Sequence, residues 1–105
     1  MLTLLNSPVL TNDGTYQYRT ITSDHARQLV ANRPWFSAIG HVAAAEVIST
    51  ELGIDCPLNR IDWRQNVGDV ALVFKLQRRA PKVGDLSQAE TMNAGFEWGL
   101  LERLA

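Results

Sequence analysis

The sequence has very few of the residues from which proteins build covalent or metal cross-links. Its 105 residues include one cysteine and two histidines. A single cysteine excludes an internal disulfide framework and indicates a reducing compartment, so we expect a cytoplasmic location. Two histidines and one cysteine are too few for a metal site, and we expect neither a metal nor a cofactor. Cys56 precedes Pro57 in a predicted connection, and we interpret it as a buried or idle thiol rather than a nucleophile.

Long apolar runs are also missing. Residues 1–5 are apolar, but they carry no basic leader and the run ends at Asn6 and Ser7, so it does not predict a signal peptide. No run approaches the roughly 20 apolar residues that a membrane-spanning helix needs. We therefore expect no membrane partner.

Familiar phosphate and nucleophile motifs are absent too. There is no glycine-rich phosphate loop, no serine in a nucleophile elbow, and no carboxylate spacing typical of a divalent-metal site. An enzyme that acts on phosphate esters would therefore have to work without a metal. RNA allows this, because the ribose 2′-hydroxyl is an internal nucleophile. The protein must align that hydroxyl, stabilise the phosphorane and protonate the leaving 5′-oxygen.

The charge of the chain is unevenly distributed. The net charge is −1, which does not indicate a general nucleic-acid-binding protein. We therefore expect no DNA partner. Residues 60–82 nevertheless hold six of the ten cations against two aspartates, a local charge of +4. The six are Arg60, Arg64, Lys75, Arg78, Arg79 and Lys82. A solvated face is the usual explanation of such a segment, but the adjacent pair Arg78 and Arg79 after an apolar strand suits a compact phosphate anion.

The hydrophobic pattern predicts a single α/β domain with a mixed sheet of about five strands and about three packed helices. The predicted strands cover residues 2–6, 16–20, 35–39, 60–64 and 70–74, and the predicted helices cover 23–32, 41–52 and 87–100. The strands at 60–64 and 70–74 are predicted to form an antiparallel hairpin through a turn at 66–69. Trp35, Trp63 and Trp98 are interpreted as core or interface residues.

The segment 36–46 carries the main functional hypothesis. It reads as a strand, a turn at Gly40, and His41 at the start of an alanine-rich helix. A helix start offers unpaired N–H groups and a partial positive charge, which suit a phosphate. Histidine changes charge near neutral pH and can donate a proton. On this segment alone, the simpler interpretation is favoured, namely that His41 is only the first residue of a packed helix.

Four short motifs occur in the same order as in the viral anti-CRISPR ring nucleases of type III systems, a family that includes cellular and prophage members. They are Leu4-Leu5-Asn6-Ser7-Pro8-Val9, Ser37-Ala38-Ile39-Gly40-His41, Leu58-Asn59-Arg60-Ile61 and Phe74-Lys75-Leu76-Gln77-Arg78-Arg79. The chain resembles that family over nearly its whole length.

The resemblance implies a homodimer that binds cyclic tetra-adenylate across its two-fold axis. It also implies metal-independent cleavage to linear di-adenylate, in the host cytoplasm if the protein is viral. In this interpretation His41 is the general acid and Arg79 stabilises the phosphate, with Arg78 as the one-residue alternative. The implied ligand-binding residues are Asn6, Ser7, Val9, Gly40, Arg60, Arg78 and Lys82.

The sequence departs from the family pattern at two places. Lys82-Val83-Gly84 occupies a loop that often carries a glutamate before the glycine, and the family's serine near the first strand falls near Val9, with Ser7 two residues earlier. Two other functions therefore stay open. One is a protein that sequesters cyclic oligoadenylate without cutting it, which Lys82 favours. The other is a small structural or regulatory dimer that binds a protein partner through its Trp and Tyr surface.

Overall fold

The computed structural model describes residues 2–76 and 95–105. Its strands are β1 (Leu2–Leu5), β2 (Tyr16–Ile21), β3 (Trp35–Ser37), β4 (Val70–Leu76) and β5 (Phe96–Arg103), and its helices are α1 (Ser23–Asn32) and α2 (Val42–Leu52). The five strands form one mixed sheet in the order β2-β5-β4-β1-β3. The α/β class and the five-stranded mixed sheet that the sequence predicts are confirmed.

The direction of the strands gives the sheet two distinct ends. β1 pairs in parallel with both β3 and β4, whereas β5 runs antiparallel to β4 and to β2. The carboxyl ends of β1, β3 and β4 therefore lie together at one end of the sheet, which we call the carboxyl edge. The opposite end, where β4 begins and β5 finishes, is called the amino edge.

β4 is the middle strand of the sheet, as its continuous apolar run predicts. Its residues from Ala71 to Phe74 are buried, with an exposed fraction of 1% or less. On one face, both helices cover a larger cluster that includes Leu4, Ile48, Leu72, Phe74 and Trp98. On the other face, a smaller cluster contains Leu5, Ala71, Val73 and Leu101, with Tyr16, Ala38 and Trp63 packed against it. Trp98 is thus a core residue, and Trp35 and Trp63 are partly buried.

The two helices begin and end where local chemistry predicts. The hydroxyl of Thr22 accepts a hydrogen bond of 3.1 Å from the N–H of His25 and caps α1. Gly53 ends α2 with a φ of 66°, in the left-handed region that glycine adopts without strain. Neither helix that the described residues form has the length and apolar character of a membrane span.

The predicted hairpin between residues 60–64 and 70–74 is wrong. Residues 54–66 form no helix or strand, and β4 pairs with β1 and β5 instead. The segment is held by irregular contacts, since the N–H of Gln65 donates to the Thr11 hydroxyl at 2.8 Å. Its alternating pattern reflects an extended chain that packs Trp63 against the smaller cluster, not a member of the sheet.

The predicted last helix is wrong where the structure describes it. Residues 96–103 form β5, and the earlier part of that prediction, including Ala89 and Met92, lies outside the described residues. Phe96 and Leu100 share one face of a helix, but residues four apart also share one face of a strand. Trp98, between them, lies on that same strand face, and its ring centroid is 5.5 Å from that of Phe74 on β4. Pairing with β4 therefore decides the structure.

Candidate functional site

The carboxyl edge collects several of the predicted site residues. Asn6 follows β1 directly, and the turn that leads from β3 to α2 contains Gly40 and His41. The turn is tied to β1, because the N–H of Ala38 donates to the carbonyl of Leu4 at 2.9 Å. In open α/β sheets, ligands bind in the crevice beyond the carboxyl ends of the strands, where the strand order reverses. Here β1 lies between β3 and β4, so this edge is the expected ligand position.

His41 is the N-cap residue of α2, with φ of −129° and ψ of 130°. Its carbonyl accepts the N–H of Ala45 at 3.0 Å, but its side chain does not cap the helix. The first turn of α2 contains no acidic residue. The partial positive charge of this helix start is therefore not offset by a carboxylate of its own turn. The prediction that a helix begins at about His41 is confirmed.

The structure gives a packing reason for a glycine at residue 40, which the sequence alone did not indicate. It is not among the glycines with positive φ, so the turn itself does not require glycine. A Cβ added at Gly40 would lie 3.1 Å from Nε of Arg60 and 3.7 Å from its Cγ. The missing side chain leaves room for Arg60 to lie directly over the turn, one residue before His41.

Arg60 is exposed, and its guanidinium donates no hydrogen bond and forms no ion pair within the described residues. A guanidinium carries five N–H donors in a planar fork that fits two phosphate oxygens. Its charge and its donors are therefore available next to the helix start.

A set of hydrogen bonds holds Arg60 in this place, and we call it the Ser37–Asn59 bridge. The side-chain amide of Asn59 donates to the carbonyl of Ser37 at 2.7 Å, and its backbone N–H donates to the carbonyl of Ile39 at 2.9 Å. The Ser37 hydroxyl donates to the carbonyl of Pro57 at 2.6 Å and accepts the N–H of Ile39 at 3.1 Å. Ser37 and Asn59 lie within the sequence motifs, but the motifs alone gave neither residue a role.

Other predicted site residues are less closely joined. Asn6 is partly exposed at the end of β1, whereas Ser7 and Val9 are exposed in the loop that follows. No hydrogen bond or ion pair among the described residues links Ser7 or Val9 to Gly40 or Arg60. Arg78, Arg79 and Lys82 follow β4 in the sequence and lie outside the described residues.

Cys56 is the free thiol next to the bridge, and it is buried, as predicted. Its Sγ lies 3.7 Å from the hydroxyl of Ser37. Desolvation raises the pKa of the thiol above its usual range, and Asp55 adds to the increase, while the hydrogen bond to Ser37 opposes it. A thiol that is held protonated is a poor nucleophile.

The outer side of α2 borders a cleft of about 470 Å³ that starts at Val42. Its walls include Glu46 and Asp55, whose carboxylates disfavour a polyanion. Phosphates are therefore expected on the Arg60 side of the helix start. Within residues 2–76 and 95–105, no three His, Cys, Asp or Glu side chains converge as a metal site would require.

Together, these features define an α/β protein with a candidate anion site at the carboxyl edge of its sheet. The site consists of a helix start, a histidine at that start and an arginine whose donors are unused by the described fold. This arrangement can bind a phosphate, and the histidine could provide a proton beside it.

The chain belongs to the STIV B116-like family, whose model matches residues 2–98. Relatives occur in viruses of Acidianus and Sulfolobus and in a bacterium. The chain is 29% identical over 110 residues to ORF117 of Acidianus two-tailed virus, covering 99% of this chain and 94% of the relative. It is 32% identical over 105 residues to YddF of Bacillus subtilis, covering 98% and 97% of the two chains. Protein 26 of Sulfolobus islandicus filamentous virus is 31% identical over 83 residues, covering 75% of this chain and 70% of the relative.

The fold is similar to that of B116 of Sulfolobus turreted icosahedral virus. The TM-score is 0.75 at 18% sequence identity, and the comparison covers 97% of this chain and 98% of B116. At this identity the likeness establishes the shared fold alone.

Proposed function

We propose that this protein is a ring nuclease that binds cyclic tetra-adenylate at the carboxyl edge and opens it to linear di-adenylate without a metal. The observation that carries the proposal is the position of Arg60. Its Nε lies 3.1 Å from the point that a Cβ would occupy at Gly40, beside the start of α2. Its guanidinium donates no hydrogen bond to any described residue. A cation with unused donors at the positive end of a helix favours a phosphate over any neutral ligand.

The proposed reaction needs no protein nucleophile. A ribose 2′-oxygen attacks the adjacent phosphorus, a P–O2′ bond forms, and the P–O5′ bond breaks. The proton of the 2′-hydroxyl passes to water, and His41 donates a proton to the leaving 5′-oxygen. Two such cuts on opposite sides of the ring release two linear di-adenylates. Removal of the ring would silence the nucleases that it activates, as in type III anti-CRISPR systems.

A homodimer follows from the charge of the ligand. Cyclic tetra-adenylate carries four phosphates, one for each linkage, whereas one subunit offers a single helix start and a single Arg60. Two subunits related by a two-fold axis through the site would together supply two helix starts, two His41 side chains and two Arg60 side chains. The symmetric pair matches a ring with two equivalent scissile linkages.

The remaining roles stay predictions. Arg79 is proposed to stabilise the negative charge on the phosphorane, with Arg78 as the alternative, because guanidinium groups suit such charge. Lys82 is proposed as a further contact to the ring. Asn6, at the carboxyl end of β1, is proposed to contact the ligand from the neighbouring strand. We place the reaction in the cytoplasm, which is the host cytoplasm for a viral protein.

Incubation with cyclic tetra-adenylate in excess chelator tests this function. The expected chromatogram has the ring replaced by linear di-adenylate, with linear tetra-adenylate as the control ligand. An intact ring together with a raised melting temperature would favour a sequestering protein instead, since a ligand that binds only the folded state stabilises it. An intact ring with an unchanged melting temperature would favour the regulatory dimer. Cleavage that stops with chelator contradicts metal independence.

A further inference from the structure

The Ser37–Asn59 bridge joins two segments that are about 20 residues apart in the sequence. One segment is the β3–α2 turn, which leads to His41, and the other is the irregular chain of residues 57–60, which carries Arg60. Four hydrogen bonds of 2.6 to 3.1 Å connect or brace these segments. The bridge therefore lies immediately beneath the pair of groups to which the proposed function assigns phosphate binding and proton donation.

Asn59 contributes two of the four bonds. Its backbone N–H is bound to Ile39 and its side-chain amide to Ser37, so both ends of the residue are fixed against the same turn. Arg60 is the next residue. Because residues 54–66 form no helix or strand, no ladder of backbone bonds fixes the direction of Arg60, and the two bonds of Asn59 perform that function.

The chemistry of the bridge requires a short neutral donor at residue 59. The Ser37 carbonyl can only accept, so it needs an N–H or O–H partner. Ser37 is 2% exposed. Leaving its buried carbonyl without a donor would cost folding free energy, because the carbonyl would lose its hydrogen bond without gaining one to water. An aspartate at residue 59 would have the same shape, but it would set a carboxylate against that carbonyl.

We infer that Asn59 is a positioning residue that holds the Arg60 guanidinium over Gly40 at the start of α2. It acts through Arg60 and does not touch the ring. This inference rests on the proposed function, because the benefit of the position is measured as affinity for the ring.

A double-mutant cycle tests the inference. Arg60→Ala, Asn59→Ala and the double variant are titrated with cyclic tetra-adenylate in chelator, in a His41→Ala background that does not cleave. Asn59→Ala is expected to weaken ring binding about tenfold, because a displaced Arg60 would lose part of its charge-assisted hydrogen bonding to phosphate. Arg60→Ala is expected to weaken it about 10- to 100-fold. The double variant should match Arg60→Ala alone, because the two residues act as one unit.

Asn32→Ala is the matched control. The Asn32 side-chain amide also donates to a carbonyl, that of Gln28, at 2.8 Å, but it does so at the end of α1. Ring affinity should be unchanged in this variant. Asn59→Asp is the second variant, because it separates the loss of the donor from the loss of side-chain volume. It keeps the shape, loses the donor and should bind as weakly as Asn59→Ala.

Additive losses in the cycle would overturn the inference and leave the proposed function standing, since Asn59 would then act separately from Arg60. Wild-type affinity in Asn59→Asp would also overturn it, because the donor would not be needed. A parent protein that binds no ring would overturn the proposed function together with the inference. The last result is recognised before any residue 59 variant is made.

Discussion

Two arginines at opposite ends of the sheet differ in the hydrogen bonds that they donate to the rest of the protein. At the amino edge, Arg103 donates to the carbonyls of Gln65 at 2.8 Å, Asp13 at 3.0 Å and Ala105 at 3.3 Å. At the carboxyl edge, Arg60 donates to no described residue. Arg103 ties two loops and the last residue of the chain to the end of β5 and has a structural role. Arg60 is held in place by its neighbour Asn59, and its guanidinium has no hydrogen-bond partner among the described residues.

The surroundings of the two arginines differ in the same sense. Beside Arg103, the buried Gln65 side-chain amide donates to the carbonyls of Asp69 at 2.9 Å and Leu101 at 3.0 Å, so one amide helps to close the amino edge. At the carboxyl edge, Asn59 uses the same chemistry to hold only the chain beneath Arg60. The comparison teaches that the protein closes one end of its sheet with internal bonds and keeps donors exposed at the other.

The largest expected effect is on His41. His41→Ala should keep ring binding but lose about 10²- to 10⁴-fold in single-turnover cleavage, because a well-placed general acid contributes that much. His25→Ala is the matched control, since His25 lies in the first turn of α1. Unchanged cleavage by His41→Ala would contradict the role of His41 as general acid and the location of catalysis at the carboxyl edge.

Next in size is the predicted phosphate-stabilising arginine. Arg79→Ala should lower both the affinity for the ring and the cleavage rate, on the order of 100-fold in rate, because developing negative charge loses its partner. Arg78→Ala serves as the paired variant. If Arg78→Ala has the larger effect, the assigned register is wrong by one residue, and if neither changes the rate, both roles fail.

Arg60 and Arg103 test the comparison directly. Arg60→Ala should weaken ring binding about 10- to 100-fold with little change in melting temperature, since it breaks no bond to the described residues. Arg103→Ala should do the reverse. It should lower the melting temperature by several degrees, because three carbonyls lose a donor, and leave ring affinity unchanged at low temperature. A loss of ring affinity in Arg103→Ala together with a loss of stability in Arg60→Ala would contradict the roles assigned to the two edges.

Gly40→Ala is expected to have a smaller effect. The added methyl would lie 3.1 Å from Nε of Arg60, so the flexible side chain must shift by a few tenths of an ångström. Ring affinity should fall severalfold while the melting temperature changes little. In the Arg60→Ala background, Gly40→Ala should have no further effect. A loss that persists there would show that Gly40 serves the backbone rather than Arg60.

The smallest expected effect concerns Cys56 beneath the bridge. Burial raises the pKa of its thiol in the folded state, so the folded protein favours the protonated form. The corresponding stability is fully present below the unfolded thiol value of about 8.5 and is lost as the pH rises through the folded value. Urea unfolding at pH 7.5 and 9.5 should show a smaller pH-dependent loss in Cys56→Ala than in the wild type. Equal losses would mean that the thiol is not held protonated.

Elements governed by local chemistry were predictable from the sequence. The helices at 23–32 and 41–52 and the apolar strand at 70–74 were predicted, because helix caps and burial on both faces leave local signals. β5 was missed because residues such as Phe96 and Leu100 are spaced alike for a helix and for a strand. Pairing with the distant strands β4 and β2 separates the two.

Part of the candidate site was also predictable. His41 at a helix start follows from a glycine turn before an alanine-rich run. The contact of Arg60 with Gly40 could not be predicted, because it depends on a bridge between Ser37 and Asn59, which are 22 residues apart. The sequence predicted Gly40 as a turn residue, whereas the structure shows that Arg60 packs closely against it.

The most direct test is a crystal structure of the His41→Ala protein with cyclic tetra-adenylate, measured as the distances from each guanidinium to the nearest phosphate oxygen. The account predicts two subunits around one ring, with Arg60 within about 3 Å of a phosphate and residue 41 facing a scissile linkage. A ring bound beside Arg103, or residue 41 turned into the protein interior far from every linkage, would contradict it.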